Sequence, residues 1–275
     1  MPKFIPYLVL ILMSVVLFIL SWKKANDKKL IIFYLCMAGF VYYFEFTVLV
    51  VYKSYEYEPG LFKDPYIDNI FGANVSNGFI VPLATVFIAI FDLGIGWIIL
   101  IVLCFLGIEE LFLILHVYKH FWWKTLYTGI GLPIQFALGK WIWYLIRFQA
   151  KRFIVRLGTF YFANVTIQAT FLYYISALFN MIYYRVNWFK EPTRGHIAFV
   201  SLFAFVDSLF FATVVTNRAP VFWQTILVLC GVGFNVMLFE WGVLEIRGYW
   251  AFAIIILAQV CYLFILKYFR QIVRQ

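Results

Sequence analysis

Two acidic residues and two of the three histidines of this chain stand close together in residues 107–124. If this segment is one helix, each residue turns by about 100° around the helix axis. Glu109, His116 and His120 then share one face, whereas Glu110 points to another side. Histidines four residues apart on a helix can bind one metal ion. The spacing therefore predicts a polar site for metal binding, proton transfer or substrate binding.

The metal hypothesis has three further candidate ligands on other spans, Asp92, His196 and Asp207, and one simpler alternative. His196, the third histidine, lies in a later apolar segment and could join His116 and His120 at a metal. A glutamate would then act as general base in a membrane-embedded enzyme that acts on lipid. Alternatively, the two neighbouring histidines lie at the membrane surface beside Trp122 and Trp123. P-loop, HExxH and GxSxG motifs are absent, so the sequence names no cofactor and leaves enzymatic activity open.

Ionisable residues also occur inside other apolar stretches. Such residues are costly in lipid, usually face the protein interior and often mark a site. A buried lysine needs a carboxylate partner, and Glu109 or Glu110 is the natural partner of Lys140 in the following span. We therefore predict an intramembrane polar site from Glu109, Glu110, Asp92, Lys140 and Asp207. Glu45, Glu240 and Glu245 are further acidic residues in or near predicted spans.

The composition excludes an ordinary soluble domain. The chain has 275 residues, of which 65% are hydrophobic and 13% charged, and its mean hydropathy is +0.92. Soluble domains are about half apolar and about a quarter charged, so lipid must surround much of this chain. The net charge of +9 comes largely from connections between apolar stretches. This distribution predicts contact with anionic lipid rather than nucleic acid, and it identifies no protein partner.

The apolar stretches predict an all-α fold, a polytopic transmembrane helical bundle of about nine spans in one integral membrane domain, residues 1–275. An acidic residue and two glycines at 92–96 divide the long apolar region 78–118 into two spans. If region 78–118 is instead one long span, the predicted number of spans is eight. The predicted spans are 4–22, 30–52, two within 78–118, 125–146, 157–183, 196–215, 221–243 and 249–266.

The charges of the connections predict an orientation. With nine spans, the basic segments 23–29 and 147–156 and the basic tail fall on one side, and the acidic segment 53–77 falls on the other. Positive connections usually stay in the cytoplasm. The N-terminus is therefore expected outside, the C-terminus in the cytoplasm, and residues 53–77 in an extracytoplasmic loop.

A resemblance adds a cellular setting. Glu109, Phe112 and the run 118–128, with Asn77 and Asp92 upstream, resemble an uncharacterised family of multi-pass membrane proteins of endospore-forming, Bacillus-type bacteria. The resemblance covers about a quarter of the chain. It implies a location in the bacterial cytoplasmic membrane and no particular activity.

Three functions remain open from the sequence. The first is a small transporter or sensor with a polar intramembrane cavity, because ionisable residues occur on several spans. The second is the metal-dependent enzyme acting on lipid. The third is a membrane scaffold or assembly partner whose acids are merely paired inside the bundle. An internal repeat is a further hypothesis, because residues 75–77 have a similar counterpart in residues 215–217.

Overall fold

The computed structural model describes residues 2–177, 179–248 and 250–274, and these residues are mainly helical. The predicted all-α fold class is confirmed. The described residues form nine long helices, and two of them, α2 and α3, contain π-helical turns. The helices are α1 Ile5–Ala25, α2 Lys29–Val51, α3 Pro65–Ile90, α4 Ile95–Ile114, α5 Thr125–Phe148, α6 Phe153–Ala177, α7 Pro192–Thr216, α8 Val221–Glu240 and α9 Trp250–Arg274.

Seven of these helices are long and apolar enough to cross a membrane, namely α1–α4 and α7–α9. The helices α5 and α6 have similar lengths, 24 and 25 residues, but lower hydropathy. The protein is therefore a helical membrane protein. The break that the sequence predicts in the region 78–118 is confirmed, because Asp92 adopts a left-handed backbone conformation between α3 and α4.

The sequence predicts a loop over residues 53–77, but in the structure this loop is shorter. Strand β1, Tyr55–Tyr57, lies within it, and α3 begins at Pro65. The Asp64 carboxylate accepts hydrogen bonds from the backbone N–H groups of Tyr66 and Ile67, at 2.8 and 3.1 Å. An acidic N-cap followed by proline is a strong start signal for a helix. A prediction from hydropathy misses the start of this helix because Asp68 and Asn69 lie in its first two turns.

The prediction of one helix through residues 107–124 is wrong. Helix α4 ends at Ile114, and His116 has a left-handed backbone with φ of 52°. Strand β2, Tyr118–His120, then pairs antiparallel with β1, so that Tyr118 lies opposite Tyr57 and His120 opposite Tyr55. Aromatic residues favour such pleated pairs. The helical spacing of the two histidines, on which the metal hypothesis depended, is therefore absent.

The chain divides into two compact units. The first, Met1–Phe148, contains α1–α5 and the sheet of β1 and β2. The second, Gln149–Gln275, contains α6–α9 and a sheet of β3, Ile182–Tyr184, and β4, Leu244–Ile246. A single integral membrane domain for the whole chain stays a prediction.

The two units repeat one order of elements. In each, the order is helix, strand, helix, helix, strand, helix, and the two strands pair antiparallel. This order runs from α2 to α5 in the first unit and from α6 to α9 in the second. Helix α1 precedes the first repeat and has no counterpart among the described residues of the second unit. The chain is therefore a tandem structural repeat.

Details of the backbone match as well. Left-handed residues occur at equivalent places, in the pairs Lys53 and Asn180, Asp92 and Arg218, and His116 and Gly242. An acidic N-cap followed by proline begins both α3 and α7. In this alignment Asn77 corresponds to Ala204, so the sequence match between 75–77 and 215–217 was in the wrong register.

Candidate functional site

The first unit contains a partly open cavity of about 350 Å³. Residues from α1 to α5 and from both strands line it. Most of its wall is apolar, with leucine, isoleucine and phenylalanine side chains. The polar groups belong to residues near the sheet and to one glutamine of α5. The cavity therefore has a polar end near the sheet and a mostly apolar body along the helices.

Glu45 of α2 is the most enclosed acid of this cavity, with a relative exposure of 8%. Its Oε1 accepts hydrogen bonds from the Tyr55 hydroxyl and from the Asn77 amide, the latter at 2.7 Å. The Asn77 amide also reaches the Tyr57 hydroxyl, at 3.3 Å. The other oxygen of Glu45, Oε2, is buried without a hydrogen-bond partner among the described residues. One strong acceptor thus remains unused beside the cavity.

Glu109 of α4 is the second acid in the lining. Its Oε1 lies 2.9 Å from Nε2 of His120, and the two side chains are only 9% and 17% exposed. The sequence places these residues together on a helix face, but the structure brings them together through β2. Because His120 lies opposite Tyr55 in the sheet, its ring is held over the end of α4.

Four aromatic rings, Tyr55, Tyr57, Tyr118 and Trp123, form what we call the aromatic ceiling of the cavity. The centroids of Tyr57 and Tyr118 lie 4.7 Å apart, and those of Tyr55 and Trp123 lie 5.3 Å apart. Burial raises the pKa of each of the three tyrosines, and neighbouring carboxyl and phenol groups raise it further. The tyrosines therefore remain neutral and keep their O–H donors.

Gln135 of α5 completes the polar lining. Its relative exposure is 9%, and its Nε2 has no hydrogen-bond partner among the described residues. Buried polar atoms are nearly always paired, and an unpaired one costs about 1–3 kcal/mol. The unused donor of Gln135 and the unused acceptor of Glu45 therefore indicate a place for a bound polar group.

Other residues of the predicted site lie elsewhere. Glu110 is exposed and accepts a hydrogen bond from Thr125 Oγ1 at 2.7 Å. Lys140 Nζ lies 2.6 Å from Asp92 Oδ1 and donates to the Leu93 carbonyl oxygen at 3.0 Å. The predicted pairing of Lys140 with Glu109 or Glu110 is therefore wrong. The stretch of α4 from Ile95 to Glu109 separates the two places by about 21 Å, at about 1.5 Å per residue.

Asp207 belongs to the second unit, on α7. Its Oδ2 lies 3.4 Å from Nε2 of Gln259, and the side chain of Gln168 faces the same carboxyl group. The five residues predicted as one polar site therefore divide among the cavity, the α4–α5 connection, the α3–α4 turn and the second unit.

The third histidine has a structural contact. His196 is buried, and its Nδ1 accepts a hydrogen bond from the backbone N–H of Tyr184 at 2.9 Å. At the equivalent position of the first unit, Asn69 Oδ1 accepts from the backbone N–H of Tyr57 at 2.8 Å. Each contact ties the last residue of a strand to the next helix. Over the described residues, His, Cys, Asp and Glu do not form a group of three that could hold a metal ion.

This equivalence makes His196 replaceable by asparagine. We expect His196→Asn to leave the free energy of unfolding nearly unchanged, because an amide oxygen can accept the same bond. His196→Ala should lower it by about 1–2 kcal/mol, since the N–H of Tyr184 would be buried unpaired. Thermal unfolding of the detergent-solubilised protein distinguishes the two variants. Equal losses in both would contradict the role of a backbone acceptor.

The second unit has lost most of the equivalent cavity. The corresponding space measures about 10 Å³. Leu172 replaces Glu45, Asn235 replaces Glu109, and the large Phe203 replaces Ser76 at the same distance from the helix start. In the sheet, Ile182 and Leu244 stand where the first unit has Tyr55 and Tyr118. The second repeat thus lacks the two acids and the ceiling rings of Tyr55 and Tyr118, and it keeps Tyr184 at the position of Tyr57.

Sequence reasoning identified Glu109 and His120 but did not assign Glu45, Asn77, Gln135 or the ceiling to a site. Glu45 carried a usable signal, because it is an acid inside an apolar span. Tyr55 and Tyr57 carried a weaker one, the alternation of aromatic and acidic residues in a short strand. Comparison with protein-family models, curated proteins and solved structures finds no match for the chain. A functional assignment therefore depends on the site itself.

Proposed function

We propose that the protein is a membrane-embedded binding protein, of the transporter or sensor class. Its first unit binds a small molecule with a polar head and an apolar body. The observation that supports this most directly is the cavity of about 350 Å³ with two unused, buried hydrogen-bonding atoms, on Glu45 and Gln135. Small-molecule sites are typically about 300–1,000 Å³ and mostly apolar, with a few convergent polar groups.

The distribution of polarity suggests how the ligand lies. Glu45, Asn77 and Glu109 gather beneath the sheet, and the apolar side chains extend along the helices. A polar head near the sheet would find hydrogen-bonding partners, and an apolar body along the helices would avoid water. This arrangement fits an amphipathic molecule better than an ion or a sugar.

The orientation remains part of the proposal. With the N-terminus outside, as the charges of the connections predict, the sheet of β1 and β2 faces the outside and the Asp92 turn faces the cytoplasm. The ligand head would then lie towards the extracytoplasmic side. The basic connections would contact anionic lipid, in the bacterial cytoplasmic membrane that the resemblance implies.

No specific observation supports either of the two alternative functions. The lipid-acting enzyme requires His116, His120 and His196 at one metal, but His196 bonds to a strand of the second unit and His116 is an exposed turn residue. A scaffold whose acids are merely paired does not explain why Oε2 of Glu45 lacks a hydrogen-bond partner among the described residues.

Filling the cavity should abolish ligand binding. Ser76 lies in the lining, and its counterpart in the second unit is Phe203. We expect Ser76→Phe to reduce photolabelling of cavity peptides by a diazirine-labelled octanol at least tenfold, since the phenyl ring would occupy the space. Labelling is measured by mass spectrometry of the purified protein in non-ionic detergent.

The matched control adds the same ring elsewhere. At Gly158 of α6, an added Cβ would have no heavy atom within 4 Å, apart from its own helix backbone and chain neighbours. Gly158→Phe should therefore leave the labelling of cavity peptides unchanged. Wild-type protein without labelled cavity peptides, or a folded Ser76→Phe variant labelled like the wild type, would overturn the proposed function.

A further inference from the structure

We infer that the ligand of the first unit carries an ammonium group, held between Glu45 and Glu109 beneath the aromatic ceiling. The inference rests on the proposed function, because it assigns a chemical class to the ligand of the same cavity.

Charge supports a cationic head. Two carboxyl groups line the cavity, and its described lining residues include neither lysine nor arginine. His120 lies against Glu109 and can pair with that carboxyl group only. Among the described residues Glu45 has no basic partner, and it accepts hydrogen bonds from the Tyr55 hydroxyl and the Asn77 amide. A cation beside Glu45 would therefore complete an ion pair that the protein alone does not form.

Hydrogen bonding restricts the cation further. Glu45 Oε2 is a buried acceptor without a partner among the described residues. A primary ammonium group offers three N–H donors, and hydrogen bonds between charged partners are the strong ones. A neutral hydroxyl could also donate to this oxygen, but without the charge. An anionic head would meet two carboxyl groups and no basic residue in the lining.

The aromatic ceiling supplies a second independent feature. Ammonium groups are attracted to the faces of tryptophan and tyrosine rings within about 6 Å, and clusters of such rings form cages for them. Tyr55, Tyr57, Tyr118 and Trp123 all line the polar end of this cavity. Because the three tyrosines stay neutral, they neither repel nor neutralise the acids beside them.

The second unit shows that the fold itself does not require these groups. The same order of helices and strands forms there with Leu172 for Glu45 and Asn235 for Glu109. Two of the tyrosines of the ceiling are also replaced by aliphatic residues. Glu45 and Glu109 therefore occur together with Tyr55 and Tyr118 where the cavity is open, and all four are replaced by other residues where it is closed.

A series of ligands that differ only in the head tests the inference. Octylamine, octanol and octanoate compete with diazirine-labelled octanol for the cavity peptides of the wild-type protein at neutral pH. Octylamine, which is protonated at that pH, should compete at a concentration at least about tenfold lower than octanol, and octanoate should be the weakest competitor. Glu45→Gln should remove most of the preference for octylamine over octanol.

Two further variants keep the result interpretable. Asp207→Asn changes a buried carboxyl of the second unit and should leave the preference unchanged. Glu109→Gln should weaken the preference if Glu45→Gln does not fold. Equal competition by octylamine and octanol in the wild-type protein would overturn the ammonium inference and leave the proposed function standing. Absence of any cavity labelling would overturn the proposed function itself.

Discussion

Replacing Asp68 with alanine is expected to lower the free energy of unfolding by about 3–5 kcal/mol, because three backbone N–H groups would lose a charged acceptor. Asp68 is buried in the first turn of α3. Its Oδ2 accepts from Gly60 at 2.8 Å, and its Oδ1 accepts from Leu61 at 2.7 Å and from Phe62 at 3.0 Å. Chemical denaturation of the detergent-solubilised protein measures the loss.

Two comparisons separate this effect from a general loss of charge. Asp68→Asn keeps the acceptor for Leu61 and Phe62 but presents an amide to Gly60, so we expect about half of the loss. Asp27 accepts only one backbone bond, from Lys29 at 2.9 Å, and Asp27→Ala should cost less than about 1 kcal/mol. If Asp68→Ala were as mild as Asp27→Ala, the carboxylate would not hold the segment between β1 and α3.

Gly72→Ala is expected to destabilise the first unit by about 2–3 kcal/mol, because overpacking a filled contact forces neighbouring groups apart. An added Cβ at Gly72 would lie 2.4 Å from Cβ of Tyr57 and 3.1 Å from a ring carbon of Tyr7. Tyr7 of α1 also donates a hydrogen bond to the Val117 carbonyl oxygen and packs edge-on against Phe112, 5.2 Å between centroids. Thermal unfolding reports the loss.

Gly107→Ala is the matched control for this substitution. Gly107 is also a helix glycine, but nothing lies within 4 Å of its added Cβ. Alanine favours helix by up to about 1 kcal/mol relative to glycine, so Gly107→Ala should be neutral or stabilising. The second unit supports the reasoning, since it lacks a counterpart of α1 in its described residues and carries Phe199 at the position of Gly72. Equal effects of the two alanines would contradict a close contact between α1, α3 and β1.

The helices were largely predictable from the sequence, because hydropathy and turn residues are local signals. Asp92 and the glycines after it marked the boundary between α3 and α4 correctly. The sequence analysis missed the start of α3 at Pro65 because Asp68 and Asn69 interrupt the apolar residues of its first turns. The sequence analysis did not predict strand β2, because its partner β1 lies some sixty residues earlier. Pairing between distant strands gives only a weak signal in a three-residue segment.

The site was predictable only in part. The sequence linked Glu109 with His120, although it assumed a helix where a strand is formed. It paired Lys140 with the nearest acids along the chain, whereas the ends of α4 and α5 bring Lys140 to Asp92. Glu45 was visible as an acid in a span, but Asn77 and Tyr55 became its partners only through tertiary packing. The sequence suggested an internal repeat only in the wrong register, because the two units share backbone features more than side chains.

The order of the residues along the chain has a consequence for how the protein is made. The described residues that line the cavity all lie between Leu10 and Leu138, and the second unit begins at Gln149. Domains generally fold as units during synthesis, with the N-terminal one first. We therefore expect the nascent chain to complete this cavity while the ribosome is still translating the second repeat.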